Sequence, residues 1–191
     1  MGKAGVWGWL LSVLAGRRAF TVQSYTEANV KNGVEFDVST RFATIGAGAT
    51  VTIGFTTGSK PVLIKSRIIT FGGGATELQY SAAHSCTFTG GTAVPTPTNA
   101  NTTSANTTEV TVVTNPTVTV QGVQYLRPFS IIGSGTGSSK IGTDAPGKET
   151  VLGPNRQHVF TFTNHSAQAA SPVFWWLTFY EGTTDLPWPY V

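Results

Sequence analysis

Alternation constrains this chain more than any other feature. Short runs with apolar residues at every second position recur along it, and Gly, Pro or Asn closes each run after about 8–12 residues. VEFDVSTRF (34–42) aligns Val34, Phe36 and Val38, and GAGATVTIGF (46–55) aligns Val51, Ile53 and Phe55. In ETVLGPNRQHVFTFTN (149–164), His158, Phe160 and Phe162 face one way. PVFWWLTFYE (172–181) places Val173, Trp175, Leu177 and Phe179 on one side, with Phe174, Trp176 and Tyr180 on the other. A period of two sends successive side chains to opposite faces of a strand, which is incompatible with one buried helical stripe.

Further strands are expected in PVLIKSRIITF (61–71), GGGATELQYS (72–81), HSCTFT (84–89), EVTVV (109–113), TVTV (117–120) and GVQYLRPFSIIGSG (122–135). AFTVQSY (19–25) alternates and reads as a first strand. TEANVKNG reads as a turn or loop, with Asn32-Gly33 as the strongest turn signal in the chain. No convincing helix and no internal repeat is found in this body. The expected fold is all-β: a jelly-roll-like β-sandwich of about eight strands, with an N-terminal arm that can form a short helix. GGTAVPTPTNANTTSANTTE (90–109) is nearly all small, polar or Pro, and is expected to be an exposed loop. GTGSSKIGTDAPGK (135–148) reads as a second flexible loop.

A doubly apolar strand is unusual in a sandwich, where one face normally meets water. Trp176 and Tyr180, if outward, make a patch that a partner subunit explains. The tail beyond residue 181 ends Pro187-Trp188-Pro189-Tyr190, an extended and stiff sequence carrying two aromatics. Trp176, Tyr180, Trp188 and Tyr190 are therefore the expected oligomer interface. Exchanged arms of this kind commonly lock oligomers.

The opening segment, MGKAGVWGWLLSVLAGRRAF, admits three readings. As a signal peptide it lacks an A-x-A cleavage pattern and would place Arg17 almost at the cut. As a membrane span, its apolar run is far short of the ~20 residues required. As a helix, it puts Trp7, Leu10, Leu11 and Leu14 on one face, although Gly5 and Gly8 weaken it by about 1 kcal/mol each. The favoured reading is an arm that orders on docking, with Trp7, Trp9, Leu10, Leu11, Leu14, Arg17 and Arg18 meeting the partner. The expected organisation is a docking arm (1–18), a sandwich domain (19–181) and an extended tail (182–191).

Charge agrees with this division. With Lys3, Arg17 and Arg18 set aside, nine basic and nine acidic residues remain, so the body is neutral and the net +3 belongs to the arm. A neutral body has no basic stripe, and nucleic acid is a poor partner for it. No membrane partner is expected. Cys86 is the only cysteine, so no intrachain disulfide can form, and it reads as a small buried hydrophobe. His84 beside it does not make a metal site.

No catalytic constellation emerges. Glu35 and Asp37 are the only acids paired at i, i+2 on one strand face, the spacing of a solvated edge. No G-x-S-x-G occurs, and Gly72-Gly73-Gly74 lacks the Lys and helix of a phosphate loop. His158 reads as a strand histidine with a satisfied hydrogen bond. The triplets starting at Asn101, Asn106 and Asn164 match the N-glycosylation acceptor, and in an Asn/Thr-rich chain without a secretion signal they read as coincidence. Neither cofactor nor metal is expected, and the chain reads as a non-enzyme.

Three stretches carry a family resemblance: GGTAVPTPTNANTTS (90–104), LGPNRQHVFTFTNHS (152–166) and the terminal aromatic strand FWWLTFYE (174–181). Together they resemble small virion proteins of tailed bacteriophages, across most of residues 19–181. The resemblance implies a jelly-roll capsid decoration (cement) protein or a related head-fibre base. Such proteins sit on the outer capsid surface as trimers or dimers and clamp the major capsid protein, after assembly in the host cytoplasm. It carries over no catalytic residue. The alternatives are a tail or head-fibre adaptor and a carbohydrate- or receptor-binding sandwich using Trp175, Trp176 or Trp188.

Overall fold

The computed structural model describes residues 25–133, 139–142 and 150–182. One short helix, α1 (Tyr25–Lys31), precedes the strands. These are β1 (Glu35–Phe42), β2 (Thr50–Thr56), β3 (Val62–Gly73), β4 (Glu77–His84), β5 (Thr87–Thr89), β6 (Thr92–Ala93), β7 (Thr98–Asn99), β8 (Thr111–Thr114), β9 (Thr117–Val120), β10 (Val123–Ile132), β11 (Ser139–Gly142), β12 (Thr150–Leu152), β13 (Gln157–Asn164) and β14 (Ala170–Glu181).

They form two six-stranded antiparallel sheets and a two-stranded ribbon, β5-β9. The first sheet runs β11-β3-β14-β1-β7, with β12 also on β3; the second runs β10-β4-β13-β2-β8-β6. Take β1, β2, β3, β4, β10, β11/β12, β13 and β14 as eight principal strands in chain order. The sheets then read 1-8-3-6 and 2-7-4-5, the interleaved order of a jelly roll. The expected all-β sandwich is the observed one, and the additional strands are short pieces added at the sheet edges.

The alternating faces close on one core. Phe55 and Phe160 of the second sheet meet Phe179 and Trp175 of the first, with ring centroids 5.7 and 5.4 Å apart. Tyr80 and Phe162 add a further contact at 5.0 Å. Offset and edge-on aromatic packing of this kind adds to the stabilisation from burial itself. A polar staple holds the end where β13 leaves its sheet. The Asn164 side chain is fully buried, and its amide donates to the carbonyls of Ile45, Gly46 and Gln168. Its Oδ1 accepts from the Ser166 amide. The Ser166 hydroxyl in turn accepts from the amides of Thr76 and Glu77. Asn164 is thus a structural residue.

Two expectations are corrected. TEANVKNG is not a turn between strands: residues 25–31 are helical. Asn32-Gly33 is the end of that helix, because Gly33 N donates to Val30 O and Val34 N donates to Asn29 O, with Gly33 at φ +66°. This is the Schellman pattern, and it needs a residue that tolerates the left-handed region. A Cβ at Gly33 would also lie 2.1 Å from Ser104 Oγ.

The polar stretch 90–109 is not a free loop either. It carries β6, which pairs with β8, and β7, which pairs with β1. Its asparagines tie it down: Asn99 Nδ2 donates to Gly33 O, Asn101 Nδ2 to Lys31 O, and Asn106 Nδ2 to Asn32 O. The expected first strand (19–25) lies outside the described residues except for Tyr25, which begins α1 instead, and most of the second loop also lies outside them. Trp7, Trp9, Leu10, Leu11, Leu14, Arg17, Arg18, Trp188 and Tyr190 lie outside them too.

Candidate functional site

The outer face of the first sheet carries the aromatic patch. On β14, Phe174 and Trp176 are 46% and 47% exposed, while Val173, Trp175, Leu177 and Phe179 between them are buried. Alternation alone produces this, since the strand is apolar on both sides. The patch is held rigid by its neighbours. Asp37 on β1 accepts hydrogen bonds at Oδ1 from Trp176 Nε1 at 3.0 Å and from the Thr178 hydroxyl at 2.6 Å. The Arg41 guanidinium lies 5.5 Å from the centre of the Phe174 ring, a cation–π arrangement. An indole fixed in this way loses little side-chain entropy when something packs on it.

Tyr180 does not extend the patch. It was expected to face outward beside Trp176, but it is 2% exposed. Its register neighbours Glu35 and Leu63 are buried as well, at 6% and 8%, so this end of the outer face is covered. The accessible patch is Phe174 and Trp176.

The two spaced acids of β1 have structural partners. Both Glu35 oxygens accept from Lys65 Nζ, at 2.9 and 3.1 Å. Asp37 is occupied by Trp176 and Thr178. Glu181, also buried, accepts from the Thr108 hydroxyl and the Glu109 amide. Glu109 accepts from the Ser59 amide, and that bond holds its carboxyl below the usual range. Among the described residues no group of three or more His, Cys, Asp or Glu is placed to hold a metal ion. Cys86 is buried, as expected, and its thiol donates to Gln121 O at 3.2 Å.

A second feature was missed in the sequence. Between the sheets, at one end, lies a cleft of about 410 Å³. His84, Tyr125 and His158 line it from the second sheet, Thr150 lines it from the first, and Ser85 and Arg156 lie on the connecting turns. His158 corrects an expectation. It is 1% exposed, and neither ring nitrogen has a hydrogen-bond partner among the described residues. Burial, then His84 and Arg156, push its pKa down to about 4. Burial raises the Tyr125 hydroxyl well above its ordinary value and Tyr80, deeper in the core, to about 12. Only the i, i+2 spacing of His158 from Phe160 signalled that an imidazole would enter the core.

No family model matches the chain, and no curated protein matches it. Among solved structures, it is similar to a chain of the T13 IBDV viral particle crystal structure, with 10% identity over 78% of this chain and 39% of that one, at a TM-score of 0.20. A chain of the infectious bursal disease virus Gt strain structure gives 10% identity over 82% and 42%, at a TM-score of 0.19. The chain therefore spans about two fifths of the length of those two chains. At such scores the likeness carries no argument.

Proposed function

We propose that this protein is a non-enzymatic structural component of a virion, most specifically a capsid decoration protein of a tailed bacteriophage. In this reading it self-associates through the outer face of its first sheet and docks on the outer shell through its N-terminal arm. The observation that carries the proposal is the rigid exposed aromatic pair Phe174 and Trp176, set on an otherwise alternating sandwich. An unpaired apolar patch with a fixed indole suits a protein partner, and aromatic residues are enriched in the cores of such interfaces. The occupation of Glu35, Asp37 and Glu181 in structural bonds supports a non-catalytic role. The jelly roll is also an architecture of viral capsid and lectin domains, which is support by analogy of fold. The sequence resemblance to phage decoration proteins points the same way.

Light scattering and co-sedimentation with particles stripped of the protein test the two surfaces separately. The full chain is expected to be a trimer, or failing that a dimer, and to sediment with the shell. A version lacking residues 1–18 should keep its oligomeric mass but lose the shell. Replacing both Phe174 and Trp176 by Ser should give a monomer. A truncated chain that still binds shells in full, or a double variant of unchanged mass, refutes the corresponding half of the proposal.

A further inference from the structure

We propose that the end cleft is a binding site for a small oxyanion, a carboxylate or phosphate group, received by His84, His158 and Arg156 with the Tyr125 hydroxyl as a further donor. This inference is independent of the outer face and of the arm, and it stands or falls apart from the capsid reading.

The starting point is an imidazole where an apolar ring would serve the core better. His158, Phe160 and Phe162 take successive inward positions on β13, and the two phenylalanines are completely buried. A buried polar group without a partner destabilises the fold, and a donor-bearing ring is tolerated there when something outside the chain satisfies it. His84 is the register partner of His158 across the β4–β13 ladder, so the two rings share the inner face of the sheet. Tyr125 lies between them, its ring centroid 6.1 Å from that of His84 and 6.3 Å from that of His158. Its hydroxyl, like the nitrogens of His158, has no partner among the described residues.

Charge decides the class of ligand. Arg156 stands at the cleft with an exposed side chain. Arg67 of β3, which does not itself line the cleft, donates at 2.9 Å to the hydroxyl of Thr150, which does. Among the described residues no carboxylate lines the cleft. Val151, Leu152 and Gly153 complete the lining, and a site with a guanidinium at its edge and no carboxylate among the described lining residues disfavours a metal cation and attracts an anion, whose oxygens accept charge-assisted bonds. Its volume of about 410 Å³ holds a molecule the size of a monosaccharide or a phosphate ester. Ser85, beside His84, has φ +56° and an Oγ 3.0 Å from His84 Nδ1. That contact fixes the His84 ring and leaves its other nitrogen for a ligand.

The same geometry predicts a pH dependence. His158 faces His84 from β4 and Arg156 from the turn, and both disfavour a proton on it. Phe55, its partner on β2, carries no charge. From the first sheet, a charged group tied to the cleft lining is Arg67, which bonds the Thr150 hydroxyl. An anion reverses this balance, so binding takes up a proton, and affinity rises as the pH falls from neutrality towards the value at which the free imidazole titrates.

The experiment follows the histidine ring C–H signals of the full chain by NMR. The titrants are inorganic phosphate and glucuronate, with glucose and zinc chloride as comparisons. Saturable shifts of both His84 and His158 with at least one of the two anions are expected. Phosphate alone or glucuronate alone would identify which source of the shared oxyanion chemistry the cleft takes. Glucuronate stays ionised between about pH 5.5 and 7.5, and its affinity should be about tenfold higher at the acid end. Arg156→Gln, at an exposed position, should weaken binding about tenfold. His158→Phe should abolish it, and if that variant does not fold, His84→Gln provides the second test. Absence of saturable shifts with both anions overturns the proposal, as does a response confined to zinc or equal binding of glucose.

Discussion

Phe162, Phe160 and His158 stand in a row on the inner face of one strand, yet the two ends of that row are built differently. At Phe160 the sandwich closes, with rings from both sheets in contact around a fully buried phenyl group. At His158 it stays open, with an imidazole buried without a partner and a cleft beside it. Equivalent positions on one strand are therefore not equivalent in free energy. One is optimised for stability, and the other holds a polar group at the expense of stability.

Breaking the closed end should have the largest effect. Phe160→Ala removes a fully buried ring that touches Phe55, Tyr80 and Trp175, and should cost about 3–5 kcal/mol in denaturant unfolding. Asn164→Ala, at the other end of β13, removes the amide that bonds the Ile45, Gly46 and Gln168 carbonyls and the oxygen that accepts from Ser166 N, while Ala170 N and Ala49 N still reach the first two carbonyls, and should cost about 2–4 kcal/mol.

Acid should act on the open end. The folded state holds His158 at about 4, against about 6.5 in the unfolded chain, so the unfolded state binds the extra proton between those values. Stability is then lost as the pH falls through this window, by roughly 3 kcal/mol once both states are protonated, and His158→Phe should flatten that part of a stability–pH profile. At neutral pH the same substitution should raise stability by about 1–2 kcal/mol, because it removes the unsatisfied ring nitrogens and continues the aromatic row. The smallest effect is expected from Arg156→Gln, within about 0.5 kcal/mol of the parent in thermal unfolding, since its side chain is exposed. A stability loss from His158→Phe would mean that both ends of the row are optimised alike, and the contrast would disappear.

The strands were legible because the period of two is imposed locally at every position. Val38, Phe55, Phe160 and Trp175 all fall on the faces that alternation assigns them. Helix α1 was not legible: seven residues give two turns, too few for an apolar stripe, and its end signal Asn32-Gly33 is shared with hairpin turns. The strap at 90–109 was read as free because its anchoring depends on Asn side chains reaching backbone carbonyls about seventy residues away, which leave no periodicity. Trp176 was assigned to the right face, whereas Tyr180 was not recognised as covered, because parity gives direction and not cover. The cleft was missed for a related reason. His84 and His158 lie far apart in the chain, and only the β4–β13 register brings them opposite each other.

The lone thiol of Cys86 lies under the β5–β9 ribbon beside Phe88 and Val159, bonded to a carbonyl and held above its ordinary pKa by burial. Little of it is thiolate in the native state, so an alkylating reagent should react only when the ribbon lifts. The rate of labelling at this one atom is therefore a clock for local opening of the sandwich, and needs no engineered probe.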